Sequence, residues 1–213
     1  MRVFNAKKLK YNVDQIIAHF GLQTSMDCPI LEQWLAVEVP ADYVLAPALE
    51  HKRERLLREG NMWNEEELKM YFLSNVFDHA NIEIGSTVKL FYERSLTAVV
   101  QDTPLSVICD AFLATSVGFH TPQKPYFFLQ EFKKGKYAQD DAEGQMLIAM
   151  LVAQALNQDD KIVFGCYLLG KDWHFTSLHN NRYCFSASYD ATRPTELAQI
   201  IHILAHLKHF IHP

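Results

Sequence analysis

A chain of 213 residues with 49% hydrophobic and 12% aromatic content is long enough to bury a substantial core, which excludes a disordered polypeptide. Its net charge of −5 supplies no global attraction to nucleic acid or to an anionic membrane, so any nucleic-acid contact falls to local basic patches. No run approaches the roughly 18 apolar residues of a membrane span, and no apolar stretch of a secretion signal follows Met1 to Lys8. A cytoplasmic protein with no membrane partner is therefore expected. Cys28, Cys109, Cys166 and Cys184 show no C-x-x-C spacing, and most lie in apolar runs, so they read as reduced core thiols.

Residues 1–60 read as an N-terminal helical extension packed on a core of residues 61–213, within a single domain. Val13 to Phe20 is a short amphipathic helix closed by Gly21, and Pro29 opens a second with Leu31, Trp34 and Leu35 as its apolar edge. A third begins near Pro40 or Ala41 and runs to Gly60 as its C-cap. Its charges alternate in sign, as on a solvated face, although the Arg surplus could contact phosphate. Asn64 is a good N-cap with Glu65, Glu66 and Glu67 behind it. Leu68, Tyr71, Phe72, Asn75 and Val76 follow at helical spacing, predicting a helix over about Glu65 to His79. On that wheel Glu65 lies on the core edge, while Glu67 and Lys69 face outward.

Three strand-like runs come next. Thr87 to Glu93 and Leu96 to Gln101 flank Arg94-Ser95, suggesting a hairpin. Leu105 to Thr115 is a long apolar run broken by one charge, Asp110. A loop over Ser116 to Lys124 leads into a fourth strand, Pro125 to Lys134, apolar at first and ending in Glu131, Phe132 and Lys133. Period-2 alternation puts Glu131 and Lys133 on one face and Phe132 on the other. A linker with Gly135 reaches a helix over about Ala138 to Asn157, whose methionines are core and whose Gln145 is polar. Strands follow at Lys161 to Leu169, Trp173 to Leu178 and Arg182 to Ala187, the last two a hairpin turned at His179 to Asn181. A final helix runs from Pro194 to about Phe210.

Asp110, Glu131 and Lys133 are the charges that the hydrophobic pattern leaves unexplained. Two adjacent strands each carrying a carboxylate can converge on one divalent cation. Mg²⁺ prefers oxygen ligands and is commonly held by one or two carboxylates plus a substrate phosphate. A lysine two residues from one ligand projects to the same side, where it can orient a water or counter charge at phosphorus.

Asp110 followed by Glu131-Phe132-Lys133, in an α-β-β-β-α-β order, resembles the PD-(D/E)XK nuclease superfamily over roughly Asn64 to Leu169. Trp63 to Phe72 looks like the opening helix of restriction-type members. Phe128-Leu129-Gln130-Glu131-Phe132-Lys133-Lys134 with Gln145 on the next helix is similar to the V-x-E-x-K-K … Q stretch of restriction-subunit nuclease domains. Cys109 stands where the motif carries proline. The resemblance implies an α/β (α+β) restriction-endonuclease-like core, a mixed central sheet flanked by helices. It also implies Mg²⁺ or Mn²⁺ bound by Asp110 and Glu131, Lys133 handling the water, Glu65 assisting, Gln145 supporting, and DNA as substrate. A homodimer or a larger nuclease complex fits the family. Phosphate contacts would fall to Lys133, Lys134 and Lys136 and to Lys52, Arg53, Arg55 and Arg58.

The alternative is a non-enzymatic binding module of the same fold. Residue by residue, Glu131 and Lys133 can be a strand-end ion pair, Asp110 can cap a backbone group or meet an arginine, and Gln145 can be a solvated helix residue. His202, His206 and His209 share a helix face and offer a rival metal set. Without an accompanying carboxylate or cysteine they read as a polar face.

Overall fold

The computed structural model describes residues 11–118, 121–133 and 141–211. The early helices form where caps and apolar edges coincide. α1 (Val13–Phe20) starts at Asn12, whose side chain accepts from the Gln15 amide, and ends at Gly21 in left-handed backbone with φ 62°. β1 (Gln23–Ser25) is followed by α2 (Pro29–Leu35), which buries Leu31 and Trp34. The third helix is shorter than its charge pattern predicts: α3 spans Pro47–Glu59. Ala46 is extended at ψ 138° because a residue before proline is pushed out of helical backbone, so the stretch from Pro40 stays outside. Gly60 is the C-cap of α3, as expected, with its N–H donating to the Leu56 carbonyl. It is helical at φ −55° and opens a 3₁₀ turn, Gly60–Met62.

Asn64 caps α4 (Glu65–Leu68) in a full capping box with Glu67. The helix continues to Ala80 through a π-turn, Lys69–Leu73, and α5 (Ser74–Ala80). After it come β2 (Val88–Val100), β3 (Thr103–Val117), β4 (Thr121–Lys133), α6 (Ala142–Asn157), β5 (Val163–Leu169), β6 (Asp172–His179), β7 (Arg182–Asp190) and α7 (Pro194–His206). The strands make one mixed sheet in the order β1-β7-β6-β5-β4-β3-β2. β1–β7 and β4–β5 are parallel and the other pairs antiparallel. The expected N-terminal helical extension thus also supplies an edge strand.

Helices cover both faces. α1 and α6 bury one, in a core containing Ile16, Phe20, Phe112, Met146 and Met150. α2, α3, α4, α5 and α7 bury the other, around Trp34, Phe72, Phe132, Trp173 and Phe175. β5, buried almost throughout, runs between them, as a strand covered on both faces should. Trp34 anchors α2 by donating its indole N–H to the Ile203 carbonyl at 2.9 Å.

Three expected boundaries move. Arg94-Ser95 is not a turn, since β2 pairs with β3 through Arg94–Cys109 and Ser95–Ile108 and the chain turns only after Val100. The expected loop over Ser116 to Lys124 is largely strand, with Val117 opposite Thr121. α6 begins at Ala142, because Asp141 is extended and caps it by accepting from the Gly144 amide. The earlier positions of that predicted helix, and Gly135, lie outside the described residues. The thiol expectation is corrected for one pair. β1 sets Ser25 beside Cys184, and Cys28, just beyond, forms a disulfide with Cys184, the Cα atoms 6.2 Å apart. Cys109 and Cys166 are free and buried.

Gly144 marks the closest contact between α6 and the chain entering α1: a Cβ there would lie 1.5 Å from the Tyr11 carbonyl oxygen. Gly144→Ala should therefore destabilise the fold by about 1–3 kcal/mol through overpacking, read as a lower urea midpoint at unchanged slope. An unchanged midpoint would show that the Tyr11 segment yields freely.

Candidate active site

β3 and β4 stop pairing where the charges begin. The last paired residues on that side are Ala111 and Gln130. Beyond them the Phe132 amide donates to Asp110 Oδ2 at 3.0 Å, a side chain taking over from the strand ladder. The end of β4 is held on its other side by the Gly170 amide, which donates to the Lys133 carbonyl at 2.8 Å. The backbone thus fixes both charged residues of β4 while the sheet opens next to them.

Glu131 is fully buried and Asp110 is 8% exposed. Glu131 Oε1 accepts from Gln145 Nε2 at 2.5 Å and from Lys133 Nζ at 3.4 Å. Gln145 also donates to the Ile108 carbonyl at 3.3 Å, which ties the first turns of α6 to β3. Lys133, with its side chain 13% exposed, reaches Glu65 Oε2 at 3.7 Å. The structure therefore draws Asp110, Glu131, Lys133, Glu65 and Gln145 into one cluster, from two strands and two helices. Gln145 is not a solvated helix residue, and Glu131–Lys133 is not a surface ion pair.

Glu131 Oε2 is buried with no hydrogen-bond partner. Burial, then the neighbouring Asp110 charge and hydrogen bond, push the Glu131 carboxyl well above the usual carboxylate range, and Lys133 only partly opposes them. When both acids are ionised neither offers the other a donor. Either a proton held between them or a cation satisfies the pair. Burial pulls the Lys133 ammonium down, but Glu131, Glu65 and Asp110 outweigh it and hold its pKa above the ordinary value, so it remains a cation.

Lys69 is a correction. Expected to face outward, it turns toward the sheet with its side chain 15% exposed. Its Nζ lies 3.6 Å from Asp110 Oδ1 and 2.8 Å from Glu66 Oε1, is bonded to Glu93 Oε1, and sits 4.8 Å from the centre of the Phe132 ring. One signal was available in the sequence: Lys69 is four residues after Glu65, so the two share a helix face. Glu93 carried no such signal, because it falls opposite Asp110 only once β2 and β3 are in register.

The basic positions expected at phosphate divide. Arg53 is buried, donating to Glu50 and to the Thr192 carbonyl at 2.6 Å, and cannot serve. Arg55 is held by Glu59 and lies 4.0 Å over the Tyr71 ring, whereas Arg58 is exposed beside Glu54. Lys134 and Lys136 lie outside the described residues. The helical histidines are structural at two positions, with His202 Nδ1 against the Ala198 carbonyl at 2.8 Å and His206 Nδ1 against the Trp34 carbonyl at 2.9 Å.

Among the described residues no group of three or more His, Cys, Asp or Glu side chains is arranged to hold a metal. The available donors are the two carboxylates Asp110 and Glu131, and the orphaned Glu131 Oε2 fits the needs of a hard divalent cation that keeps most of its waters. No helix among the described residues is long and apolar enough to cross a membrane. No protein family and no curated protein matches the chain.

A carboxyl whose folded pKa lies above its unfolded value stabilises the fold below the unfolded pKa, and that contribution is lost as pH rises through the folded value. Glu131→Gln keeps the shape and supplies an amide donor toward Asp110. Without added metal it should melt at a higher temperature than the wild type at pH 8, the gap narrowing toward pH 5. Each unit of displaced pKa corresponds to about 1.4 kcal/mol. A variant no more stable at pH 8 than at pH 5, relative to wild type, would contradict the buried-charge assignment.

Proposed function

We propose that this chain is a divalent-cation-dependent nuclease that hydrolyses DNA phosphodiester bonds on a restriction-endonuclease-like core. The observation that carries the reading is the buried, partnerless Glu131 Oε2 next to Asp110, with the Lys133 ammonium 3.4 Å from the other oxygen of Glu131. The order α4–α5, β2, β3, β4, α6, β5 supports it, because it sets these residues on the strands and helix where the resemblance expects them.

Asp110 and Glu131 would hold Mg²⁺ or Mn²⁺, which supplies Lewis acidity toward the phosphate and a nucleophilic water. In the reaction a water oxygen bonds to phosphorus as one bridging P–O bond breaks, and the leaving oxygen takes a proton. Lys133, charged throughout, does not act as the base. Its ammonium orients the attacking water and counters the negative charge that grows on the phosphoryl oxygens. Glu65 holds Lys133 from the helix side, and Gln145 fixes Glu131 Oε1. Arg58 remains exposed to meet the DNA backbone.

A second reading has one observation in its favour: Lys133 is already shared between two acids, Glu131 and Glu65. On that reading the chain binds nucleic acid or protein without cutting.

Plasmid and single-stranded DNA incubated with Mg²⁺ or Mn²⁺ should be cleaved by the wild type, with the rate falling about 10²–10³-fold in Lys133→Ala, and at least as far in Glu131→Ala. Equal cleavage by all three proteins, or none with any cation, would overturn catalysis. Uncut DNA that is retained by the protein would select the second reading.

A further inference from the structure

The two edges of the sheet are guarded unequally. An edge strand carries a row of backbone groups ready to pair with another chain, and proteins blunt such edges with short length, charge, proline or bulges. β1, at one edge, is three residues long. β2, at the other, has 13 residues, and among the described residues no strand but β3 pairs with it. Its first half is guarded: Lys89, Glu93 and Arg94 carry charge, and Glu93 at φ 50° interrupts the regular strand. At that level the apolar phase of both strands slips. Phe91 and Leu96 on β2 face the same core although an odd number of residues apart, and so do Cys109 and Phe112 on β3.

Past the slip, β2 runs as Ser95-Leu96-Thr97-Ala98-Val99-Val100, with no charge, proline or glycine. Such a segment on an open edge is a template for strand pairing. Its inner side is regular, pairing without a break from Ser95–Ile108 to Val100–Thr103. Leu96 and Val100 are buried and Ala98 packs beside them in the core under α1 and α6, while Ser95, Thr97 and Val99 are exposed, Val99 by 65%.

The pattern is self-complementary. In antiparallel pairing about a two-fold axis, inward residues meet inward residues only if paired positions differ by an even number. An axis at Ala98 satisfies this: Leu96 falls opposite the second copy's Val100, and Thr97 opposite its Val99. The same register sets Arg94 opposite Asp102, both exposed and of opposite charge. We propose that residues 95–100 of β2 pair antiparallel with the same residues of a second copy of this chain, joining two seven-stranded sheets into one across a two-fold axis. Each chain uses the same edge, so the assembly closes at two copies. This dimer does not rest on the nuclease reading.

Sedimentation velocity of the full chain over a concentration series should show a monomer–dimer equilibrium. Thr97→Lys combined with Val99→Lys sets two ammoniums against each other at both symmetric positions. That protein should stay monomeric where the wild type is a dimer. Thr97→Glu combined with Val99→Lys sets opposite charges at the same positions and should keep the dimer. Both side chains are exposed in the single chain, so the three proteins should melt alike when diluted below the dimer range, which separates lost pairing from lost folding. Arg94→Ala leaves the pairing segment intact and should raise the dimer Kd about 2–30-fold. A wild type that is monomeric at every concentration overturns the proposal, as does growth past the dimer. A Lys/Lys chain that dimerises like the wild type, a Glu/Lys chain that stays monomeric, or an unchanged Kd in Arg94→Ala overturns the pairing centred on Ala98.

Discussion

Two carboxylates set side by side out of water repel each other and lose their hydration, so they persist only where the surrounding chain compensates them. Asp110 and Glu131 are compensated on every side but one. The Phe132 amide and the Lys69 ammonium meet Asp110, and the Gln145 amide and the Lys133 ammonium meet Glu131. What is left over is Glu131 Oε2. The helix carrying Glu65 and Lys69, the first turns of α6, the end of β4 and the middle of the β2–β3 hairpin all answer to this requirement.

The sheet makes room for the pair by ceasing to be regular. β3 and β4 part after Ala111–Gln130, which frees an amide for Asp110. β2 and β3 stay paired past that level, but both change phase, and their far arm packs Leu96, Val100, Leu105 and Val107 against α1 and α6. A strand that keeps one face to a core cannot change phase without local distortion, and Glu93 at φ 50° is where β2 absorbs it. On the helix side the π-turn does the same for Lys69. The site is thus bounded by backbone departures from ideal geometry, on a sheet whose two faces are buried under helices.

Much of this was legible from residue patterns. α1 and α2 stand where caps and apolar spacing put them, because Asn12, Gly21 and Pro29 act through local backbone chemistry that needs no tertiary context. Glu131, Lys133 and Asp110 stood out because charge inside apolar runs demands a partner, and the structure supplies partners for all three. Boundaries failed where a local signal was overruled from a distance. Arg94-Ser95 looked like a turn since the alternation breaks there, yet the break is a phase slip within a paired strand. Cys28 and Cys184 looked like reduced core thiols because they lack C-x-x-C spacing, and only the β1–β7 pairing brings them together across 156 residues.

The sequence by itself determined the mixed α/β class, the place of most helices and strands, and which charges would need an explanation, since these follow from spacing and from the cost of burying charge. Tertiary structure alone decided how those charges are arranged. Register set Glu93 opposite Asp110, a π-turn swung Lys69 inward, and the parting of β3 from β4 gave Asp110 an amide to hold. Each of these depends on contacts between segments far apart in the chain, and periodicity within one segment carries no record of them.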